Sequence, residues 1–230
     1  MKLQAALDFD YRSTNRGQAE ELSIFWTELA QALAGEARES LDIIEVGTPF
    51  VMEYGLAPVR KLKQAFPEKL ILADLKIADA GYYEAAAAFK SGADIATVLA
   101  VTDDATILNA MTAAKEYGRS IMVDMLAVPD LPTRLMQVDS LGVDYICLHT
   151  SKDLQRLDQD MSKSFEVLRS YVKNAKLAIA GGINRTTIEK FAAICPDVII
   201  VGEGITGAEN YGEAAAFFKA AMDAVERGER

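Results

Sequence analysis

The stretch Leu70–Gly81, LILADLKIADAG, carries the residues whose types and spacing could do chemistry. An apolar run, Leu70 to Ala73, is followed by Asp74, Lys76 and Asp79. Charged side chains are rarely buried without a partner, and removing one from water costs several kcal/mol or more. Asp74 and Lys76 are two apart, so on a strand they share a face. A carboxylate beside a fixed ammonium could hold a cation and stabilise a developing oxyanion. The same pattern in isolation reads as a solvated strand end with a weak surface ion pair. The rest of the chain decides between the two.

Short apolar runs followed by helical patterns repeat along the chain. Strands are expected near Leu3–Leu7, Asp42–Val46, Leu70–Ala73, Ile95–Ala100, Ile121–Met125, Tyr145–His149, Leu177–Ala180 and Val198–Val201. Most are continuous apolar runs, the mark of parallel strands covered by helices. Helical patterns occupy the gaps: Ala19–Gly35, Leu56–Phe66, Tyr82–Gly92, Asp103–Gly118, Leu131–Leu141, Ser162–Val172, Thr186–Ala193 and Tyr211–Glu226. No Pro/Gly-rich linker or low-complexity segment interrupts them. The expected fold class is α/β, a single (β/α)8 barrel domain over residues 1–230, with Arg227–Arg230 as a frayed tail. An open doubly wound sheet is the alternative, but its first strand often feeds a glycine-rich loop. Here the first strand runs into ALDFD.

In such a barrel the C-terminal strand ends converge on one face, where chemistry is built. Those positions are Asp8, Glu45, Asp74 and Lys76 (with Asp79 just beyond), Asp124, His149, Gly181–Gly182 and Gly202-Glu203-Gly204. His149 is the single histidine of the chain. Carboxylates crowded together destabilise one another, and a divalent cation with Lys76 would relieve that repulsion. Mg2+ takes oxygen ligands and often only one or two carboxylates, so Glu45 and Asp74 are its candidate ligands. One histidine and no useful cysteine cluster argue against zinc. Each residue also has a structural reading. Asp8 and Asp124 could bond loop amides, His149 could be a satisfied core histidine, and the glycine pairs could be tight turns. In a barrel those last two loops often cradle phosphate through backbone N–H groups, with Lys152, Arg185 and the amides of Ala180 to Gly182 as helpers.

The net charge is −10 and no basic block is present, so there is no footprint for non-specific nucleic-acid binding. An anionic small molecule would need local positive charge or aimed N–H groups. No apolar run reaches membrane-span length, and the N-terminus reads as a first strand, so a cytoplasmic protein is expected. Cys147 and Cys195 read as buried thiols.

The segments LQAALD, DIIEVGTP, ADLKIADAGYYEA, GADIATVLAVTDDATI, MVDML, GVDYICLHT, AIAGGI and IIVGEGITGAE span most of the chain. With them the sequence resembles the 3-hexulose-6-phosphate synthase family of the orotidine-monophosphate decarboxylase suprafamily, whose mark is D-x-K-x-x-D. EVGTP and TVLAVTDDATI look more like the synthases than the related 3-keto-L-gulonate-6-phosphate decarboxylases. The resemblance implies a homodimeric lyase that joins formaldehyde to ribulose 5-phosphate. Glu45 and Asp74 would be Mg2+ ligands, Lys76 would lie beside a nascent enediolate, and Asp79 would reach the neighbouring subunit's site. Asp8, Asp124 and His149 would line the pocket, and the glycines of the last two strand ends would hold phosphate. We expect His149 to carry the proton, with Asp124 assisting. Decarboxylation of a keto-gulonate phosphate reaches the same type of enediolate and is the alternative activity. A phosphopentose epimerase would need a second acid–base group. A catalytically inactive binding barrel is the alternative of another class. Three features depart from the family pattern: Ser151 where glycine is usual, Glu203 at the expected phosphate site, and a long segment from Phe9 to Ser40.

Overall fold

The computed structural model describes residues 1–8, 30–155 and 162–228. Eight strands close into one all-parallel barrel in chain order. They are β1 (Lys2–Leu7), β2 (Ile43–Val46), β3 (Leu70–Ile77), β4 (Ile95–Leu99), β5 (Ser120–Asp124), β6 (Tyr145–His149), β7 (Lys176–Ala180) and β8 (Val198–Val201). The open-sheet alternative is thereby excluded. Strand period two sorts the side chains. Leu3, Ala5, Leu7, Ile44, Val46, Ile71 and Ala73 join the outer core under the helices. Ala6, Ile43, Leu72, Ile95, Met122, Cys147 and Ile200 fill the barrel interior. Continuous apolar runs are what a strand packed on both sides requires.

Helices lie at 57–65, 81–90, 104–117, 131–140, 162–169, 188–192 and 211–226, close to the expected positions. Residues 30–36 are helical; the rest of the expected Ala19–Gly35 helix, and most of the long Phe9–Ser40 segment, lie outside the described residues. Three short helices had no clear periodicity: Thr48–Tyr54, Lys152–Gln155 and Glu203–Thr206. Such short pieces are set by the turns they bridge, not by an amphipathic face. Helix 81–90 packs closely on helix 104–117. A Cβ at Gly81 would stand 2.1 Å from the Thr106 carbonyl oxygen, so the alanine-rich GYYEAAAAF sequence serves this close approach.

β3 is longer than the expected Leu70–Ala73. It continues to Ile77 through a register shift against β4 between Ala73 and Ile77. Lys76 has φ 47°, and its N–H donates to the Thr97 hydroxyl at 2.9 Å. A side-chain acceptor thus takes a bond that the ladder would have supplied, and the strand bulges at its two charges.

At the other end of the barrel, four aspartates precede the even-numbered strands. The carboxylates of Asp42, Asp94, Asp144 and Asp197 accept from the amides of Leu3, Ile71, Ile121 and Leu177, at 2.9, 2.9, 3.0 and 2.8 Å. Their main-chain carbonyls accept from Leu70, Ser120, Lys176 and Lys2. Each aspartate therefore ties one odd strand to the next, and the four form a closed ring. This fourfold device is visible in the sequence as SLDI, GADI, GVDY and CPDV. Cys195, in the last of these loops, is exposed with φ 54°, not buried as expected. The chain turns there before β8 begins, so the apolar context of Cys195 in the sequence does not become a packed environment. Cys147, on β6, is buried.

Candidate active site

The C-terminal strand ends enclose a cavity of about 1050 Å³. Asp8, Glu45, Asp74, Lys76, Asp124, His149, Lys152, Gly181, Gly182, Gly202, Glu203 and Gly204 all line it. The structure thus brings together the expected site residues except Asp79 and Arg185; Asp79 is exposed outside the cavity. Its carboxylate accepts from the Ala80 amide at 2.8 Å. Arg185 is also not at the cavity: its guanidinium lies 4.3 Å over the Phe217 ring, a cation–π contact that draws it away.

Within the cavity, the Asp74 carboxylate has three side-chain partners. Thr97 Oγ1 donates to its Oδ1 at 2.7 Å, Thr48 Oγ1 to its Oδ2 at 2.7 Å, and the Lys76 ammonium grips Oδ2. Burial pushes the Asp74 pKa up. Lys76 and these hydrogen bonds outweigh it, so the pKa lies below the ordinary carboxylate value. Burial likewise opposes the charge on Lys76, but Asp74 and then Asp124, 3.8 Å away, hold the ammonium above the ordinary lysine range. Lys76 is therefore held in its cationic form, which suits it to stabilise negative charge and not to act as a base.

The other half of the floor is short of positive charge. Burial, then Asp74 and Asp8, raise the Glu45 pKa well above its ordinary value, despite a hydrogen bond from Gln4. Burial, then Asp74, raise that of Asp8, with Lys76, Lys152 and His149 opposing. Asp8 has room because Gly47 faces it; a Cβ there would fall 1.7 Å from Asp8 Oδ1.

Asp124 Oδ2 lies 2.9 Å from His149 Nδ1, and Asp124 Oδ1 accepts from the Leu126 amide at 3.0 Å. A carboxylate can only accept, so this contact selects, for a neutral imidazole, the tautomer with the proton on Nδ1 and the lone pair on Nε2. Cys147 also lines the floor, where burial and then Asp124 push its thiol pKa well up and keep it protonated.

At the far wall, Gly181 and Gly182 have φ 94° and 73°, which only glycine adopts freely. Gly204 has a packing reason of its own: a Cβ there would come within 2.9 Å of Phe218 and Val201. Glu203 is exposed at the rim. Ser151 Oγ accepts from the Leu154 amide at 3.3 Å and so caps the short helix 152–155, a role glycine could not fill.

Among the described residues, no group of three or more His, Cys, Asp or Glu forms a ready metal cluster. Magnesium does not need one. The donors present are hard oxygens, Glu45 lacks an adequate cationic partner, and open cavity lies beside it for water or substrate oxygens, so the residues fit Mg2+. Sequence reasoning missed Gln4, Thr48 and Thr97. Gln4 and Thr97 carried a readable signal, polar residues inside otherwise apolar strands (KLQAAL and IATVL).

The family model for Orotidine 5'-phosphate decarboxylase / HUMPS matches residues 1–218. The chain belongs to this family. Within the family, the chain is 46% identical over 187 residues to 3-hexulose-6-phosphate synthase of Bacillus subtilis (strain 168), covering 81% of this chain and 89% of that protein. The crystal structure of 3-hexulose-6-phosphate synthase from Salmonella typhimurium superposes with a TM-score of 0.87 at 34% identity, covering 100% of both chains. The crystal structure of 3-keto-L-gulonate-6-phosphate decarboxylase from Vibrio cholerae superposes with a TM-score of 0.78 at 26% identity, over 96% of this chain and 97% of that one. Among the described residues of this family member, no helix is long and apolar enough to cross a membrane.

Proposed function

We propose that this protein catalyses the Mg2+-dependent aldol condensation of formaldehyde with D-ribulose 5-phosphate, giving a hexulose 6-phosphate through a 1,2-enediolate. The protein is an enzyme, a lyase of the aldehyde-lyase type, as its synthase relatives at 46% identity are named. The observation that carries the mechanism is the Asp74–Lys76–Asp124–His149 chain: a permanent ammonium and an oriented imidazole share one cavity.

Nε2 of His149 takes a proton from C1 of the pentulose. The electron pair of that C–H bond moves onto the C2 oxygen, next to the Lys76 ammonium. Charge that develops beside a fixed, partly buried cation lowers the barrier, because the interaction is stronger in the transition state than in the ground state. Asp124 stabilises the imidazolium through Nδ1. The C1=C2 electron pair of the enediolate then forms a bond to the formaldehyde carbon as the C2 ketone re-forms; the C=O π pair of formaldehyde moves to its oxygen, which takes the proton back from His149 and leaves it neutral again. Mg2+, held by Glu45 and Asp74, would supply further positive charge for the enediolate oxygens. Lys152 and the amides of the 181–182 and 202–204 loops would hold the phosphate, beside Glu203, which is exposed at the rim.

The alternative, 3-keto-L-gulonate-6-phosphate decarboxylation, is favoured by the fold shared with the Vibrio cholerae decarboxylase and reaches an enediolate by loss of CO2. A paired assay separates the two. Formaldehyde-dependent consumption of ribulose 5-phosphate is expected to be fast with Mg2+ and to stop with EDTA. Faster CO2 release from the keto-gulonate phosphate would move the assignment to the decarboxylase. If Mg2+ accelerates neither reaction, the mechanism fails.

We further propose a homodimer in which Asp79 enters the neighbouring subunit's cavity. Its support is that Asp79 stands exposed just beyond β3, beside Tyr82 and Tyr83, which are themselves exposed.

A further inference from the structure

Gln4 is wholly buried in β1, on the inward face that also carries Ala6. Its neighbours in register on β2 and β8 are Ile43 and Ile200, both part of the apolar barrel interior. Its Nε2 donates to Glu45 Oε2 at 2.6 Å. This orientation suits an ionised Glu45, which accepts and does not donate, the form that would hold a cation. Its other end, Oε1, is buried and has no hydrogen-bond partner among the described residues.

Packing gives no reason for this residue. An amide end buried without a partner costs about 1–3 kcal/mol, and leucine or methionine would fill the same volume without that cost. What glutamine adds is the bond to Glu45. The Glu45 side chain is long and flexible, and this bond is what fixes one of its two oxygens. A carboxylate that ligates a cation needs one oxygen held so that the other is presented in a fixed direction, and outer partners of this kind tune affinity.

We infer that Gln4 is a positioning residue of the cation site: its amide N–H holds Glu45 Oε2 and so presents Oε1 of Glu45 to the ion. This rests on the Mg2+ reading above. Gln4 itself does not touch substrate.

The test titrates metal-free protein with Mn2+ and reads free Mn2+ by electron paramagnetic resonance, beside thermal melting of the same metal-free samples. Wild type is expected to bind Mn2+, and Glu45→Gln to lose binding. Gln4→Met, which keeps the volume, is expected to weaken Mn2+ binding by about tenfold or more. Its melting temperature should stay near that of wild type, since the unpaired amide oxygen is gone while buried Glu45 loses a donor. In the Glu45→Gln background, Gln4→Met should change Mn2+ binding no further. Gln4→Leu serves as a second replacement should Gln4→Met not fold. Mn2+ affinity in the replacement within about twofold of wild type overturns the inference and leaves the cation reading standing. A wild type that binds no Mn2+ overturns the cation reading and this inference together.

Discussion

Lys76 sits at an unusual backbone position. A non-glycine residue at φ 47° is uncommon and is kept only where its surroundings fix it. Here the fixing residue is Thr97, whose single hydroxyl accepts from the Lys76 amide and donates to Asp74 Oδ1. Two outcomes follow at this scale. Lys76→Ala removes the fixed cation and should lower kcat by about 10²- to 10³-fold or more, with an unchanged circular dichroism spectrum. A Lys76→Ala variant as active as wild type would remove Lys76 from the mechanism, whereas a wild type with no turnover would favour the binding barrel. Thr97→Val keeps the shape, removes both hydrogen bonds, and should cost about 1–3 kcal/mol in urea unfolding. Its kcat/KM should also fall, because Lys76 is no longer held on its bulge. Unchanged kcat/KM with lowered stability would confine Thr97 to a structural part.

At the scale of elements, the strand order explains why distant residues meet, and loop anchors explain why they stay. Asp139, in helix 131–140, shows the second effect. Its buried carboxylate accepts from the amides of Lys173, Asn174 and Ala175 and from the Asn174 side chain, and so fixes the approach to β7. Burial raises its pKa, but these hydrogen bonds outweigh it and hold the pKa below the ordinary carboxylate value. A depressed folded-state pKa means that the native state prefers the ionised form. The stabilisation is therefore full above the unfolded value, near pH ~4, and is lost as pH falls through the lower folded value. Asp139→Ala should cost about 2–3 kcal/mol at neutral pH. The difference from wild type should shrink as urea unfolding is repeated below about pH 4. A difference that stays constant from neutral pH to about pH 3 would show that packing, and not the charge, is what Asp139 supplies.

At the scale of the whole molecule, the two ends of the barrel divide the work. One end carries the ring of Asp42, Asp94, Asp144 and Asp197, whose carboxylates each find a backbone donor. The other carries Asp8, Glu45, Asp74 and Asp124 around Lys76, where the acids are not all compensated. Stability resides at the first end and reactivity at the second. The proposed dimer can be tested by mixing variants. Asp79→Asn and Lys76→Ala should each be inactive alone. Unfolded together and refolded, they should regain about a quarter of wild-type activity, because half of the dimers are mixed and one of their two sites is intact. No recovery, or a monomer by analytical ultracentrifugation, would remove Asp79 from the mechanism.

Eight apolar strand runs, their helical spacers and the polar residues at their ends were legible in the chain, because parallel strands buried on both faces need continuous apolar sequence. That pattern determined the barrel and gathered Asp8, Glu45, Asp74, Lys76, Asp124 and His149 into one opening. It did not reveal the bulge in β3, since a register shift depends on a threonine from the neighbouring strand. Nor did it reveal that Arg185 stacks on Phe217, or that Cys195 is exposed. It left Gln4 unremarked as the partner of Glu45. Composition and periodicity determine which face a residue occupies. Which neighbour satisfies its hydrogen bonds or charge is set by contacts far away in the chain, and only the closed barrel decides those.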